Sequence, residues 1–221
     1  MTAEELQLRR WVVCASGLIY WGGVLIQSRR IRKRIGRPPN LKPHGTREKA
    51  LWAGWFMVIL AWIGQPWLVG GTVAKPGLTL WASLLHPVSL VVGLSLVALG
   101  YAGTLWTYAV MGDTWRIGID RKEKTELVSR GPFRWVRHPV YLLQIVMLTG
   151  TALLLPTLVS LAALVAHYFC VRLKAGDEEK HLTAVHGEAY RNYQSRTGAL
   201  FPRLIRRRSA RADCTAPSLD S

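Results

Sequence analysis

Residues 131–141 concentrate the side chains of this chain that could bind a charged ligand. They include Arg134, Arg137 and His138, together with three aromatic residues and two prolines, directly before an apolar run. Pro139 is suited to the first turn of a helix, where backbone amides lack partners within the helix and the helix dipole favours anions. With Arg137 and His138 beside those amides, the pattern predicts an anion-binding site. We call residues 131–141 the basic segment.

A second polar group, Glu178 and Glu179, follows the last apolar run of the chain, and we call it the acidic pair. Its carboxylates could accept hydrogen bonds from an ammonium group or from hydroxyls, so the two groups together suit a zwitterionic cofactor. Two alternatives stay open at this point. The arginines of the basic segment could extend to lipid head groups. The acidic pair could instead form salt bridges with Arg172, with Lys174 or with those arginines.

Five apolar blocks must position these groups. Half of the 221 residues are hydrophobic, and the mean hydropathy of the chain is +0.15. About 20 apolar residues span a hydrocarbon core of about 30 Å. The blocks lie at residues 11–27, 50–69, 84–111, 140–155 and 158–171. They predict an all-α polytopic membrane protein with about five transmembrane helices, of which the last two form a helical hairpin.

The last apolar block is expected to continue as a helix past the membrane to about His186, where Gly187 ends it. A short helix that carries Tyr190 and Tyr193 follows, and Pro202 is expected to close it.

Three regions are expected along the chain. Residues 1–111 form membrane-anchoring helices, and residues 112–204 form a catalytic region with a loop, the hairpin and helices outside the membrane. Residues 205–221 form a basic and then polar tail, which is expected to be disordered.

The basic residues are distributed in alternate connections between the apolar blocks. Lysine and arginine number nine in residues 28–49, seven in 112–138 and ten in 172–221, but two in 1–10 and one in 70–83. The positive-inside rule therefore predicts that the basic segment, the site it forms and the C-terminus lie on the cytoplasmic side. A nucleic-acid-binding face would not be interleaved with membrane spans, so no nucleic-acid partner is expected despite a formal charge of +16.

Cys14, Cys170 and Cys214 are far apart and show no spacing typical of metal ligands, so no metal site is expected. Cys14 and Cys170 lie in apolar blocks and are expected to be small core residues.

The order of these motifs resembles that of isoprenylcysteine carboxyl methyltransferases and of the related phospholipid N-methyltransferases. The resemblance covers roughly residues 105–204. Before and at the start of the apolar block 140–155, it is carried by Gly112 and Trp115 of a Gly-x-x-Trp segment and by the run 127–141. After the last apolar block, it is carried by the acidic pair with Lys180-His181-Leu182, the run Gly187 to Tyr193, Arg196-Thr197-Gly198 and Pro202. There is one departure. The family usually has a glycine shortly after the tyrosine of the basic segment, where this chain has Leu142 and Leu143.

The resemblance implies an S-adenosylmethionine cofactor in a cytoplasmic pocket, beneath a lipid-facing entrance for a membrane-soluble substrate. By matching position, His138, Pro139 and Tyr141 would line the cofactor pocket, with Arg137 on its cationic side, and Glu178, Glu179, Tyr190 and Tyr193 would close it. Arg134 and Arg196 would orient a substrate carboxylate, with Trp115 nearby. The expected acceptor is a prenylcysteine-type acid or another isoprenoid or lipid acid.

This chemistry is compatible with the residues present. Methyl transfer from a sulfonium to an ionised carboxylate needs no nucleophilic side chain and no general base, so positioning is most of the task. An amine acceptor, as in a phospholipid N-methyltransferase, must lose a proton, for which His138 or a glutamate could serve.

Two further readings compete with methyl transfer. An NADPH-dependent membrane reductase of the sterol-reductase type would have a similar Arg-His-Pro-x-Tyr motif, but the acidic pair would be a poor neighbour for phosphates. A non-enzymatic membrane scaffold would leave the ordered polar motifs unexplained.

Overall fold

The computed structural model describes residues 2–36, 45–70, 76–115 and 127–203. The helices in these ranges are α1 (Ala3–Ile35), α2 (Gly45–Leu68), α3 (Pro87–Met111), α4 (Pro139–Leu154), α5 (Leu158–His186) and α6 (Glu188–Arg196), with short 3-10 helices at Ala82–Leu84, Gly112–Thr114 and Gly131–Arg134. Within the described ranges there is no strand, and the all-α prediction is confirmed. The predicted tail at residues 205–221 and Cys214 lie outside the described residues.

The five predicted apolar blocks correspond to α1 to α5. Four of these helices, α1, α2, α3 and α5, are long and apolar enough to cross a membrane, and α4 is a shorter apolar helix of 16 residues. The protein is therefore a multi-pass membrane protein. Helix α1 is longer than its apolar block because Thr2 caps its start, accepting a hydrogen bond from the Glu5 amide, and Gly36 ends it with φ +74°.

Helices α3 and α4 pack closely through glycines. A Cβ atom at Gly100 would overlap Met147 Cγ, and one at Gly103 would lie 2.5 Å from Leu143 Cδ2. Small residues allow membrane helices to approach each other in this way. Leu143, where the chain departs from the family pattern, is thus accommodated by glycines on the neighbouring helix.

One end of the helix bundle, which we call the Arg9 end, is held by a buried arginine. The side chain of Arg9 has no exposed surface, and its Nη2 atom donates to Glu5 Oε1 at 2.8 Å and to the carbonyl of His86 at 3.1 Å. Its Nη1 atom donates to the carbonyl of Leu154 at 3.3 Å. The starts of α1 and α3 and the end of α4 therefore meet here.

The opposite end, which we call the Lys174 end, is held by ion pairs between helices. Lys174 Nζ lies 2.8 Å from Glu48 Oε1, which joins α5 to the start of α2. Arg34 Nη1 lies 3.2 Å from Asp113 Oδ1, which joins the end of α1 to the segment after α3. Described residues from the three most basic connections, Arg34, Glu48, Asp113 and Lys174, thus lie at one end of the bundle.

Helix α5 ends at His186 and Gly187 follows with φ +55°, as the sequence predicts. The prediction that Pro202 closes the next helix is wrong, because α6 ends at Arg196. Thr197 is extended, with φ −124° and ψ 148°, and Gly198 forms a parallel β-bridge with Val136. Pairing with the basic segment, and not a proline, ends the helix.

Candidate functional site

A cavity of about 450 Å³ lies near the Lys174 end, and all six helices contribute to its lining. This volume is within the usual range for small-molecule sites. Seven of the eight predicted cofactor residues line it: Arg137, His138, Pro139, Tyr141, Glu178, Tyr190 and Tyr193. The eighth, Glu179, is not part of the lining and lies next to Arg137 and His138. The basic segment and the acidic pair are therefore brought together.

The acidic pair divides into two roles. Glu179 Oε1 accepts hydrogen bonds from Arg137 Nε at 2.8 Å and from Arg137 Nη2 at 2.7 Å, so the predicted alternative of a salt bridge applies to this residue. Glu178 lines the cavity, where its Oε1 accepts a hydrogen bond from the Tyr141 hydroxyl at 2.7 Å. The carboxylate of Glu179 is thus neutralised by Arg137, whereas the carboxylate of Glu178 is held at the cavity surface by Tyr141.

His138 lies between the two carboxylates. Its Nδ1 atom is 3.3 Å from Glu178 Oε2 and its Nε2 atom is 3.3 Å from Glu179 Oε1. Burial by itself lowers the pKa of His138, but hydrogen bonds to Glu178 and Glu179 outweigh it, so the pKa is raised above the usual value. The two carboxylates therefore stabilise the imidazolium form, which can donate from both ring nitrogens.

Arg137 joins the basic segment to the end of α6. Its Nη1 atom donates to the carbonyl of Gln194 at 3.3 Å and to the carbonyl of Thr197. The backbone of the basic segment also pairs with the residues after α6. The Arg137 amide donates to the carbonyl of Gly198 at 2.8 Å, and the His138 amide donates to the carbonyl of Ala199 at 3.1 Å. Arg137 therefore holds three segments of the site in register.

The tyrosines supply hydroxyl groups that stay protonated. Tyr193 donates to the carbonyl of Phe133 at 2.7 Å, and burial raises the pKa of Tyr193 to about 12. Burial likewise raises the pKa of Tyr190 well above its usual value. The Tyr190 hydroxyl is buried, and among the described residues it has no hydrogen-bond partner. It is thus a free donor at the wall of the cavity.

The three residues predicted to orient the acceptor are not all brought together. Trp115 is 3% exposed, lines the cavity and packs edge-on against Tyr108 at 5.4 Å between ring centroids. Arg134 and Arg196 are exposed at the surface and are not part of the cavity lining.

Several lining residues come from helices that the sequence indicates only as anchors. Helices α1 and α2 contribute Tyr20, Trp21, Trp52 and Trp55. Aromatic residues near the ends of membrane helices are typical of the lipid interface, so their type alone could not reveal this role. Gln144 also lines the cavity, and a polar residue inside an apolar block was the available signal for it.

The arrangement can bind a ligand with both charges and an aromatic part. Glu178 offers a fixed carboxylate, and the first helical turn of α4, which follows His138, offers free backbone amides. Trp52, Trp55 and Phe56 offer apolar walls for a ring. The unpartnered hydroxyl of Tyr190 supports the same conclusion, because buried polar groups usually have partners.

Comparison with known proteins finds similar sequences. A sequence model of the phospholipid methyltransferase family matches residues 88–189. The nickel-cobalt-cadmium resistance protein NccN of Alcaligenes xylosoxydans xylosoxydans is 33% identical over 112 residues, which are 50% of this chain and 51% of that protein. Methanethiol S-methyltransferase of Crocosphaera subtropica is 28% identical over 135 residues, which are 57% of this chain and 52% of that protein. The chain thus spans about half the length of the curated relatives it matches.

The matched region runs from the start of α3 into α6 and contains the basic segment, the acidic pair and Tyr141. Through residues 88–189, the chain is therefore similar to phospholipid methyltransferases, and its relatives include a methanethiol S-methyltransferase.

Proposed function

We propose that this protein is a membrane methyltransferase, which transfers the methyl group of S-adenosylmethionine to a lipophilic acceptor that enters the cavity from the membrane. The observation that carries the proposal is the meeting of His138, Glu178 and Tyr190 with aromatic residues of α1 and α2 around one cavity. When bound, the cofactor supplies a methyl group on a sulfonium, which is already electrophilic.

In this proposal the residues of the chain bind and orient both reactants. Glu178, fixed by Tyr141 and His138, accepts hydrogen bonds from the ammonium group of the cofactor. The first backbone amides of α4, next to His138, bind its carboxylate, and Trp52 or Trp55 packs against its adenine. Alignment of the two reactants then supplies most of the acceleration.

The proposed acceptor is a carboxylate, such as that of a prenylcysteine-type or other isoprenoid or lipid acid. An ionised carboxylate needs no general base, and His181 and His186 of α5 line the cavity, where they can orient it. Because Arg134 and Arg196 lie outside the lining, these histidines replace them in the proposal.

A thiol acceptor is the second candidate. It is favoured by the 28% identity to methanethiol S-methyltransferase over 135 residues. A thiol reacts as the thiolate, so this reaction needs a proton acceptor, and His181 or His186 would fill that role. A reductase that binds NADPH is disfavoured because the carboxylate of Glu178 at the cavity surface would repel phosphates.

Calorimetric titration of the purified protein tests the cofactor. We expect S-adenosylmethionine to bind and NADPH not to bind. Glu178→Gln should weaken S-adenosylmethionine binding by about tenfold, as expected for loss of one charge-assisted hydrogen bond. Glu188→Gln is the matched control, because Glu188 is exposed and pairs with Arg191 at 2.7 Å. Binding of NADPH alone, or unchanged affinity in Glu178→Gln, would contradict the proposal.

We also propose that the cavity is on the cytoplasmic side. The support is the position of described residues from the most basic connections at the Lys174 end, together with the positive-inside rule.

A further inference from the structure

Gln144 is a buried polar residue whose hydrogen bonding is incomplete. It lies on α4, is 7% exposed and lines the cavity. Its Nε2 atom donates to the hydroxyl of Tyr20 at 2.7 Å. Its Oε1 atom is buried and has no hydrogen-bond partner among the described residues. Since almost all buried carbonyl oxygens in proteins have a partner, this oxygen points to a ligand.

The contact with Tyr20 shows which amide atom of Gln144 has a partner. The hydroxyl of Tyr20 accepts the hydrogen bond from the Gln144 Nε2 atom at 2.7 Å. The NH₂ group of Gln144 therefore faces Tyr20, and the carbonyl oxygen is the atom left without a partner. A ligand that completes this site must present a hydrogen-bond donor.

The position of Gln144 separates it from the proposed cofactor groups. It follows Pro139 by five residues, which corresponds to about 8 Å along the axis of α4. It thus lies deeper in the bundle than His138 and Glu178, towards the Arg9 end. Tyr20, Trp21 and Tyr108 line the same part of the cavity. A lipophilic molecule from the membrane would place its head group here.

We propose that Gln144 selects the acceptor by accepting a hydrogen bond from an N–H or O–H group on the acceptor's head group. The inference rests on the proposed function, since it assigns the deeper part of the same cavity to the acceptor. An acceptor without such a donor leaves the buried carbonyl oxygen unpaired and is bound more weakly.

Gln65 provides a matched control. It is 4% exposed, lies on α2 and is not part of the cavity lining. Its Nε2 atom donates to Ser160 Oγ at 2.8 Å, and its Oε1 atom accepts from Thr157 Oγ1 at 3.0 Å. The same substitution at Gln65 therefore removes a buried glutamine amide that already has partners within the protein.

The test measures binding of two probes to the full protein in lipid nanodiscs, with S-adenosylhomocysteine present. N-decanoylglycine and N-decanoylsarcosine differ only in that the amide N–H of the first is replaced by N–CH₃ in the second. Dissociation constants are obtained from quenching of tryptophan fluorescence. We expect the wild type to bind the glycine probe about tenfold more tightly, as for one hydrogen bond to a buried group. Gln144→Leu should reduce this ratio to about one, whereas Gln65→Leu should retain it.

Gln144→Met, which has a similar length and no carbonyl, serves as a second variant if Gln144→Leu does not fold. Equal affinities of the wild type for both probes, binding of neither probe, or discrimination retained in the Gln144 variant would overturn the inference. Weaker binding of S-adenosylhomocysteine in that variant would assign the carbonyl to the cofactor and also overturn it. Absence of S-adenosylhomocysteine binding in the wild type would instead overturn the proposed function, and this inference with it.

Discussion

At the scale of single residues, the site depends on two adjacent glutamates with different surroundings. Glu179 is 20% exposed and forms an ion pair with the almost fully buried Arg137. Glu178 is similarly exposed but is held by Tyr141 and His138 at the cavity surface. His138 contacts both carboxylates, so it joins the ion pair of Glu179 and Arg137 to Glu178 at the cavity surface.

The charge of His138 gives a prediction for pH dependence. The pKa of His138 is raised in the folded protein, against about 6.5 in an unfolded chain. The stabilisation from its two carboxylate contacts is thus fully present below about pH 6.5 and is lost as the pH rises through the raised value. We expect the difference in melting temperature between wild type and His138→Gln to shrink between about pH 6 and about pH 9. A constant difference over this range would show that His138 does not change its charge.

At the scale of elements, the site is assembled by pairing between the basic segment and the residues after α6. Val136 forms a β-bridge with Gly198, and the amides of Arg137 and His138 donate to carbonyls beside it. A Cβ atom at Gly198 would overlap the carbonyl oxygen of Phe201. The chain can therefore turn back here only with a glycine.

Gly198→Ala should separate the end of α6 from the basic segment. We expect a lower melting temperature and weaker binding of S-adenosylmethionine, because Arg137 and His138 lose their backbone partners. Gly176→Ala in α5 is the control, since a Cβ atom there meets nothing within 4 Å. Alanine is a better helix former than glycine, so the control should be as stable as the wild type or more so. Equal behaviour of the two variants in melting and titration would contradict this role of Gly198.

At the scale of the whole molecule, charged groups hold the two ends of the bundle in different ways. The Lys174 end uses ion pairs between helices, such as Lys174 with Glu48 at 2.8 Å. The Arg9 end uses one buried guanidinium that caps helix ends by donating to backbone carbonyls. The cavity lies near the first end, so the second acts on function only through the stability of the bundle.

Arg9→Leu should destabilise the protein. The carbonyls of His86 and Leu154 would lose this donor and Glu5 would lose its partner, which should cost about 3 kcal/mol. The same substitution at the exposed Arg30 should change stability by about 0.5 kcal/mol or less. Thermal unfolding in detergent, followed by a thiol-independent dye, measures both. Equal losses of stability in Arg9→Leu and Arg30→Leu would mean that the hydrogen bonds of Arg9 contribute no more to stability than an exposed charge does.

Orientation in the membrane is tested by labelling of single cysteines in a variant that lacks Cys14, Cys170 and Cys214. Ser83→Cys lies on the connection before α3, and Ser129→Cys lies on the connection before the basic segment; both positions are exposed. We expect a membrane-impermeant maleimide to label Ser83→Cys in intact cells and to label Ser129→Cys only after permeabilisation. The reverse pattern would invert the proposed topology.

The sequence by itself determined the membrane spans and the segments that form the site. Long apolar blocks define spans because their length must match the hydrocarbon core. The basic segment and the acidic pair stand out because charges at the edges of such blocks need partners. The position of Gly187 likewise predicted the end of α5, since a glycine relieves the strain of φ +55° there.

Only the tertiary structure decided how those segments face one another. Successive residues on a helix point about 100° apart, so whether Glu178 or Glu179 faces the cavity depends on how α5 packs. Likewise, Arg134 and Arg196 lie at the surface although they belong to the matching motifs. The contributions of α1 and α2 arise from contacts between residues far apart in sequence, such as Tyr20 with Gln144 and Trp55 with Tyr141. Such contacts leave no pattern in the local sequence, because they are fixed by packing and not by periodicity.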